Sequence, residues 1–225
     1  MGIMEGKNKV VNIKIKDKEF FNLKTIVKKH FNIKNVVKIF YVVKGKSVYE
    51  IVIDDTKSYR LDIYDFKGPK KIKFYQSRAY YQSIGYKNGI HVPKVIGLYE
   101  TPDLLYKLSE WIKGRRIGYV WNSEAMFIKA GIEIAKIHCI KDPKSERFLG
   151  YNDFTKSNAI WTDDEELYLV DVVIAPKKNV DGNAIKILIK NLKGDRERIE
   201  WFLAGYKRVR NVDMIRKILE EKERS

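Results

Sequence analysis

The chain has 225 residues, of which 44% are hydrophobic and 12% aromatic, so it is no disordered segment and has enough apolar mass for one large domain or two small lobes. One cysteine, Cys139, excludes an internal disulfide, and no apolar run approaches the roughly 18 residues of a membrane span, so a cytoplasmic protein is expected. The net charge of +16 is uneven: residues 1–100 hold 21 Lys and Arg against 9 Asp and Glu, and residues 101–225 hold 24 against 20. A basic half attracts polyanions, and nucleic-acid binding is therefore one reading. Lysine is used heavily throughout, however, and no nucleic-acid motif accompanies the charge, so a solvated lysine-rich surface is the plainer account.

In chain order, Val10 to Ile15 alternates as a short strand. Residues 17–32 place Phe20, Leu23, Ile26, Val27 and His30 or Phe31 at helical spacing, with acids in front and lysines behind, which suits the helix dipole. Three antiparallel strands are expected over 36–43, 47–54 and 58–66, joined by the turns Lys44-Gly45-Lys46 and Asp55-Thr56-Lys57. In the second, Tyr49, Ile51 and Ile53 oppose Val48, Glu50, Val52 and Asp54. A helix over 70–89 follows, then two strands either side of Pro102-Asp103, and then residues 115–122, which fit no regular element. From Ser123 a helix runs to Ile140, with Ile128, Ile132, Ala135 and Cys139 on one face and Cys139 as a small core residue. His138 and Cys139, adjacent on that helix, point about 100° apart and form no dyad. His30 and His91 are read as structural. After residue 171 come three amphipathic helices, over 183–193, 195–209 and 212–224.

Residues 151–171, YNDFTKSNAIWTDDEELYLVD, carry the chemistry. Asp153 opens a tight loop that reaches Asn158, and two short strands, 159–161 and 167–170, flank the acidic turn TDDEE and end on Asp171. A hairpin of that form brings Asn158 and Asp171 to the same end. An acid beside an attacking hydroxyl, with an amide and a carboxylate facing a metal ion, makes a phosphoryl-transfer site.

The D-x-x-x-x-N spacing followed by a strand and an Asp resembles the catalytic loop and metal-binding Asp of protein kinases. The fuller pattern resembles the aminoglycoside phosphotransferase and choline kinase family, including its compact lipopolysaccharide-core and carbohydrate kinases. EWIKG at Glu110 to Gly114 resembles that family's hinge, GIEIAKIHCI at Gly131 to Ile140 the helix before the loop, and FLAGYKRV at Phe202 to Val209 a late helix. The resemblance implies an α+β, two-lobed protein-kinase-like fold: an antiparallel-sheet N-lobe over 1–109, a hinge at 110–114 and a helical C-lobe over 115–225. It further implies an ATP- and magnesium-dependent phosphotransferase acting on a hydroxyl of a small molecule or sugar, with Asp153 catalytic and Asn158 and Asp171 on magnesium. Nucleotide contacts would come from Lys44, Gly45, Lys46 and Ser47 of the first turn, Arg60, and the hinge residues Glu110, Trp111 and Ile112.

The third strand departs from the family. Asp62 stands where the family has a phosphate-binding lysine, and Arg78 stands where the following helix supplies its glutamate, so an inverted Asp62–Arg78 tether is expected. If no other cation replaces the lysine, the chain is a pseudokinase, which binds a nucleotide or a partner without catalysis.

Overall fold

The computed structural model describes residues 17–41, 47–65, 69–117, 123–151, 154–155, 157–192 and 195–223. The expected strand at Val10 to Ile15 and the turn residues Lys44, Gly45 and Lys46 lie outside them, as does Asp153. Two compact units divide the chain: residues up to Gln76 together with Val95–Trp111, and Ser77–Lys94 together with residues from Ile112 onward. Residues 77–94, expected in the first lobe, thus belong to the second unit.

In the first unit, α1 (Asp17–Phe31) precedes β1 (Lys38–Tyr41), β2 (Val48–Val52) and β3 (Ser58–Asp65), and β4 (Val95–Glu100) and β5 (Leu104–Glu110) complete an antiparallel sheet ordered β1-β2-β3-β5-β4. The period-two pattern of β2 holds, with Tyr49 and Ile51 buried and their neighbours half-buried. Leu23 and Val27 of α1 form one core with Tyr49, Ile51, Leu61, Tyr106 and Leu108, so the helix covers one face of the sheet. The Tyr49 hydroxyl donates to Glu19 at 2.8 Å, and His30 stacks on Tyr99, a structural role. On β3 and β5 the alternate residues Asp62, Lys107 and Ser109 are buried polar groups.

The helix α2 (Pro69–Lys87) begins in the first unit and passes into the second at Ser77. The second unit continues with β6 (Arg115–Arg116), α3 (Glu124–Cys139), β7 (Phe148–Tyr151), β8 (Ala159–Trp161), β9 (Leu167–Leu169), β10 (Ile174–Lys177), α4 (Val180–Leu192), α5 (Arg196–Lys207) and α6 (Asp213–Glu223). The segment that fits no pattern in sequence supplies β6, which pairs antiparallel with β8 and gives a three-stranded sheet β6-β8-β9.

The core centres on α3 and differs from the expected stripe. Phe127, Ala130, Ile134, Ile137 and His138 are fully buried, whereas Ile128 and Ile132 are only half-buried and Cys139 is exposed rather than a core residue. Because α3 packs against both β7 and α5, more than one stripe of it is covered, and helical periodicity alone cannot say where burial is deepest. The α3–α5 crossing is a close backbone approach. A Cβ on Gly131 would lie 2.1 Å from the Phe202 carbonyl oxygen, and one on Gly205 would lie 1.9 Å from that of Ile128.

Candidate active site

The hairpin β8–β9 sets the site. Ala159 pairs with Leu169, and the next rung is continued by the Val170 N–H donating to the Asn158 carbonyl at 2.9 Å, which leaves Asp171 one residue beyond it. Its turn is closed by the Thr162 N–H to the Glu166 carbonyl at 3.0 Å, with Glu165 in the left-handed region at φ 57°. Gly114 serves the same hairpin: it has φ 151°, and a Cβ there would meet the Trp161 carbonyl oxygen.

The loop before the hairpin is anchored by Phe154, fully buried and packed against Phe202 of α5 at 6.5 Å between ring centroids. The Asn158 main-chain N–H donates to the Thr155 carbonyl at 3.0 Å, and the Ser157 hydroxyl donates to the buried side chain's Oδ1 at 3.1 Å, so Asn158 is held through its backbone and its side-chain oxygen. Asp171 is exposed and has φ 56°, an uncommon backbone for a residue with a side chain and one that Asp tolerates better than most. Left-handed residues collect at functional sites, where the surroundings hold the strain.

Arg78 is part of those surroundings. Its Nη2 donates to Asp171 Oδ1 at 2.9 Å and to the Asp171 carbonyl at 3.2 Å, and its Nε donates to the Val172 carbonyl at 3.2 Å. Asp62 pairs elsewhere: Arg60 reaches its Oδ1 from Nε at 2.9 Å and Nη2 at 2.8 Å, and Lys107 Nζ lies 3.2 Å from its Oδ2. The expected Asp62–Arg78 tether therefore gives way to two separate pairings, because the residue cross-strand from Asp62 is itself a lysine and Arg78 finds a carboxylate in its own unit. Burial pushes the Asp62 carboxyl up, but Lys107 and Arg60 together outweigh that and hold it below the usual carboxylate range.

Among the remaining nucleotide candidates, Ser47 is exposed and its carbonyl accepts the Ile63 N–H at 2.8 Å; Glu110 is exposed, and Trp111 and Ile112 are half-buried. Sequence reasoning missed a buried polar cluster behind the loop. His138 Nε2 donates to Asn183 Oδ1 at 3.0 Å, and its Nδ1 accepts from the Tyr206 hydroxyl at 2.8 Å, a tautomer fixed by the amide oxygen. Burial pushes the imidazole down to about 4, so it is neutral, and raises the Tyr206 hydroxyl well above the usual tyrosine range. The signal was present as the His of GIEIAKIHCI and the Tyr of FLAGYKRV, but nothing in sequence joins the two.

The donors at the hairpin end are an amide and a carboxylate, oxygen ligands of the kind magnesium prefers, and magnesium is commonly held by one or two such groups together with phosphates. Arg78 engages Oδ1 of Asp171, while the carboxylate itself is about half exposed, 53%, so the donor set fits a hard cation. Among the described residues no cluster of three His, Cys, Asp or Glu side chains could hold a metal by itself.

Solved structures share this arrangement of elements. Spectinomycin phosphotransferase in complex with ADP and spectinomycin matches with a TM-score of 0.62 and 13% identity, over 83% of this chain and 79% of that one. A protein of Haemophilus somnus 129PT assigned as a fructosamine-3-kinase matches with a TM-score of 0.59 and 11% identity, over 83% and 81%. The fold is that of the aminoglycoside phosphotransferases and their protein-kinase-like relatives. An aminoglycoside-3'-phosphotransferase of type VIII also has this kinase-like fold, with a TM-score of 0.56 and 12% identity over 76% of this chain and 86% of that one. No family model matches the chain, and no curated protein matches it.

Proposed function

We propose that this kinase-fold chain is a phosphotransferase that moves a phosphoryl group from ATP to a hydroxyl of a small molecule or carbohydrate. The observation that carries the reading is the hairpin end, where Asn158 is buried and held and Asp171 sits in left-handed backbone gripped by Arg78. Solved proteins of this fold with ADP or AMP bound support a nucleotide as the ligand.

Asp153 follows β7 by two residues and orients the acceptor hydroxyl, taking its proton as the bond from the acceptor oxygen to the γ-phosphorus forms and the bond from that phosphorus to the bridging oxygen breaks, releasing ADP. Asn158 and Asp171 hold magnesium, which when bound neutralises charge on the phosphates. Glu110, Trp111 and Ile112 offer backbone groups to the adenine. Phosphoryl transfer asks mainly for positioning and fixed charge, and a buried amide beside a backbone-locked carboxylate provides both.

The test is phosphate transfer, or slow ATP hydrolysis where no acceptor is supplied. Asp153→Asn keeps the shape and removes the base, so the rate should fall by roughly 10²–10⁴. Equal rates in parent and variant would contradict the assignment. A second reading, a pseudokinase that binds nucleotide without catalysis, is favoured by the Arg78 guanidinium on Asp171; ATP binding with no hydrolysis or transfer would select it.

A further inference from the structure

We propose that Arg78 on α2 is a positioning residue for the metal: it holds the Asp171 backbone in its left-handed turn and fixes one carboxylate oxygen, which presents the other to magnesium. This rests on the reading of Asn158 and Asp171 as magnesium ligands given above. It goes beyond that reading by choosing between two opposite roles for the guanidinium, support of the carboxylate and occlusion of it.

The hydrogen bonds carry the choice. As an ion pair alone the contact would be weak, because the Asp171 carboxylate is about half exposed. Two of the three acceptors, however, are main-chain carbonyls of consecutive residues: Asp171, reached by Nη2, and Val172, reached by Nε. Successive carbonyls of an extended strand point to opposite sides, and these two face one guanidinium because the chain turns at Asp171, where φ is 56°. The planar fork of arginine matches such a pair, whereas a lysine ammonium is a point charge. At the carboxylate Arg78 meets Oδ1, and among the described residues Oδ2 has no protein partner. A guanidinium that occluded the carboxylate would take both oxygens, fork on fork; here the fork is turned to the backbone.

Both ends of the contact are anchored in one unit. The part of α2 that carries Arg78 is fixed one turn on by Tyr81, which lies in the second unit's core with Tyr80 and Ile84 packed against it. On the other side Val170 and Val172 are buried, and the Val170 N–H is bonded to the Asn158 carbonyl. Asp171 is the exposed residue between these two fixed ones, and Arg78 offsets a backbone conformation that its residue type does not favour. Metal-binding carboxylates are commonly held by such a hydrogen-bond donor, and removing the donor costs roughly 10- to 100-fold in metal affinity.

The experiment is calorimetric titration of the full chain with ATP, once in excess magnesium and once with magnesium chelated. The readout is the ratio of the two affinities, which a merely structural contact would not move. The parent should bind ATP more tightly with magnesium. Arg78→Gln should lose about 10- to 100-fold in the magnesium condition, with the chelated affinity unchanged. Arg78→Lys, which keeps the charge and lacks the fork, should lose most of the same factor, and it is read alone if Arg78→Gln does not fold. A ratio equal to the parent's would overturn the proposal and make the contact structural, or a direct phosphate contact where both affinities fall together. A larger ratio in Arg78→Gln would also overturn it and make Arg78 an occluding cation. A parent with the same affinity in both conditions would remove the magnesium reading and this proposal while leaving nucleotide binding intact, and a parent that binds ATP in neither would remove the nucleotide reading as well.

Discussion

Asp171 combines the carboxylate proposed to hold magnesium with a backbone that few side chains accept, and this decides how it should be tested. Alanine at φ 56° adds roughly 1 kcal/mol or more of strain to the loss of the carboxylate, so Asp171→Ala confounds two effects. Asparagine tolerates that conformation. Asp171→Asn should leave the melting temperature within a few degrees of the parent and abolish the magnesium-dependent part of nucleotide stabilisation; an unchanged magnesium effect would remove Asp171 from the metal. His138 makes a separate prediction about pH. Its folded value, about 4, lies below the ordinary histidine value near 6.5, so below pH 6.5 the unfolded chain takes up a proton that the folded one refuses. The stability it contributes is complete above pH 6.5 and is lost as pH falls toward 4, by up to about 3 kcal/mol. Urea midpoints at pH 7 and pH 4.5 should differ accordingly in the parent and by less in His138→Gln. Equal slopes in the two proteins would show that the buried imidazole is not the responsive group.

At the scale of elements, two of the motifs that resemble the phosphotransferase family meet in space. Gly131 of α3 and Gly205 of α5 each receive the other helix's backbone, while His138, two turns beyond Gly131, is hydrogen-bonded to Tyr206, the residue after Gly205. Gly205→Ala would drive a methyl to 1.9 Å from the Ile128 carbonyl oxygen, and the helices could relieve it only by separating. It should cost about 1–3 kcal/mol or more in a denaturant titration, and a change within about 0.5 kcal/mol would contradict the close crossing. The order of the motifs was legible in sequence, as were the sheet strands and the hairpin, because period-two alternation and the TDDEE turn are local signals. The α3 face was not, since burial on several sides blurs a 3.6-residue stripe, and neither was β6, whose two residues form a strand only because β8 lies beside them. The partners of Asp62 and Arg78 were illegible for a related reason: side-chain pairing depends on sheet register and on the unit each residue joins, which residue types alone do not encode.

For the whole molecule, the +16 charge permits several polyanionic ligands, of which the proposed function selects a nucleotide. Among the described residues no helix is long and apolar enough to cross a membrane. The most direct test of the account is a thermal melt of the full chain with and without ATP and magnesium, since a ligand that binds only the folded state must raise the midpoint. At about 100 times its dissociation constant, ATP with magnesium should contribute roughly 2.7 kcal/mol and move the midpoint upward by roughly 5–10 °C in a chain of this size. The rise should shrink when magnesium is chelated. A midpoint that stays fixed with millimolar ATP and magnesium would contradict the account.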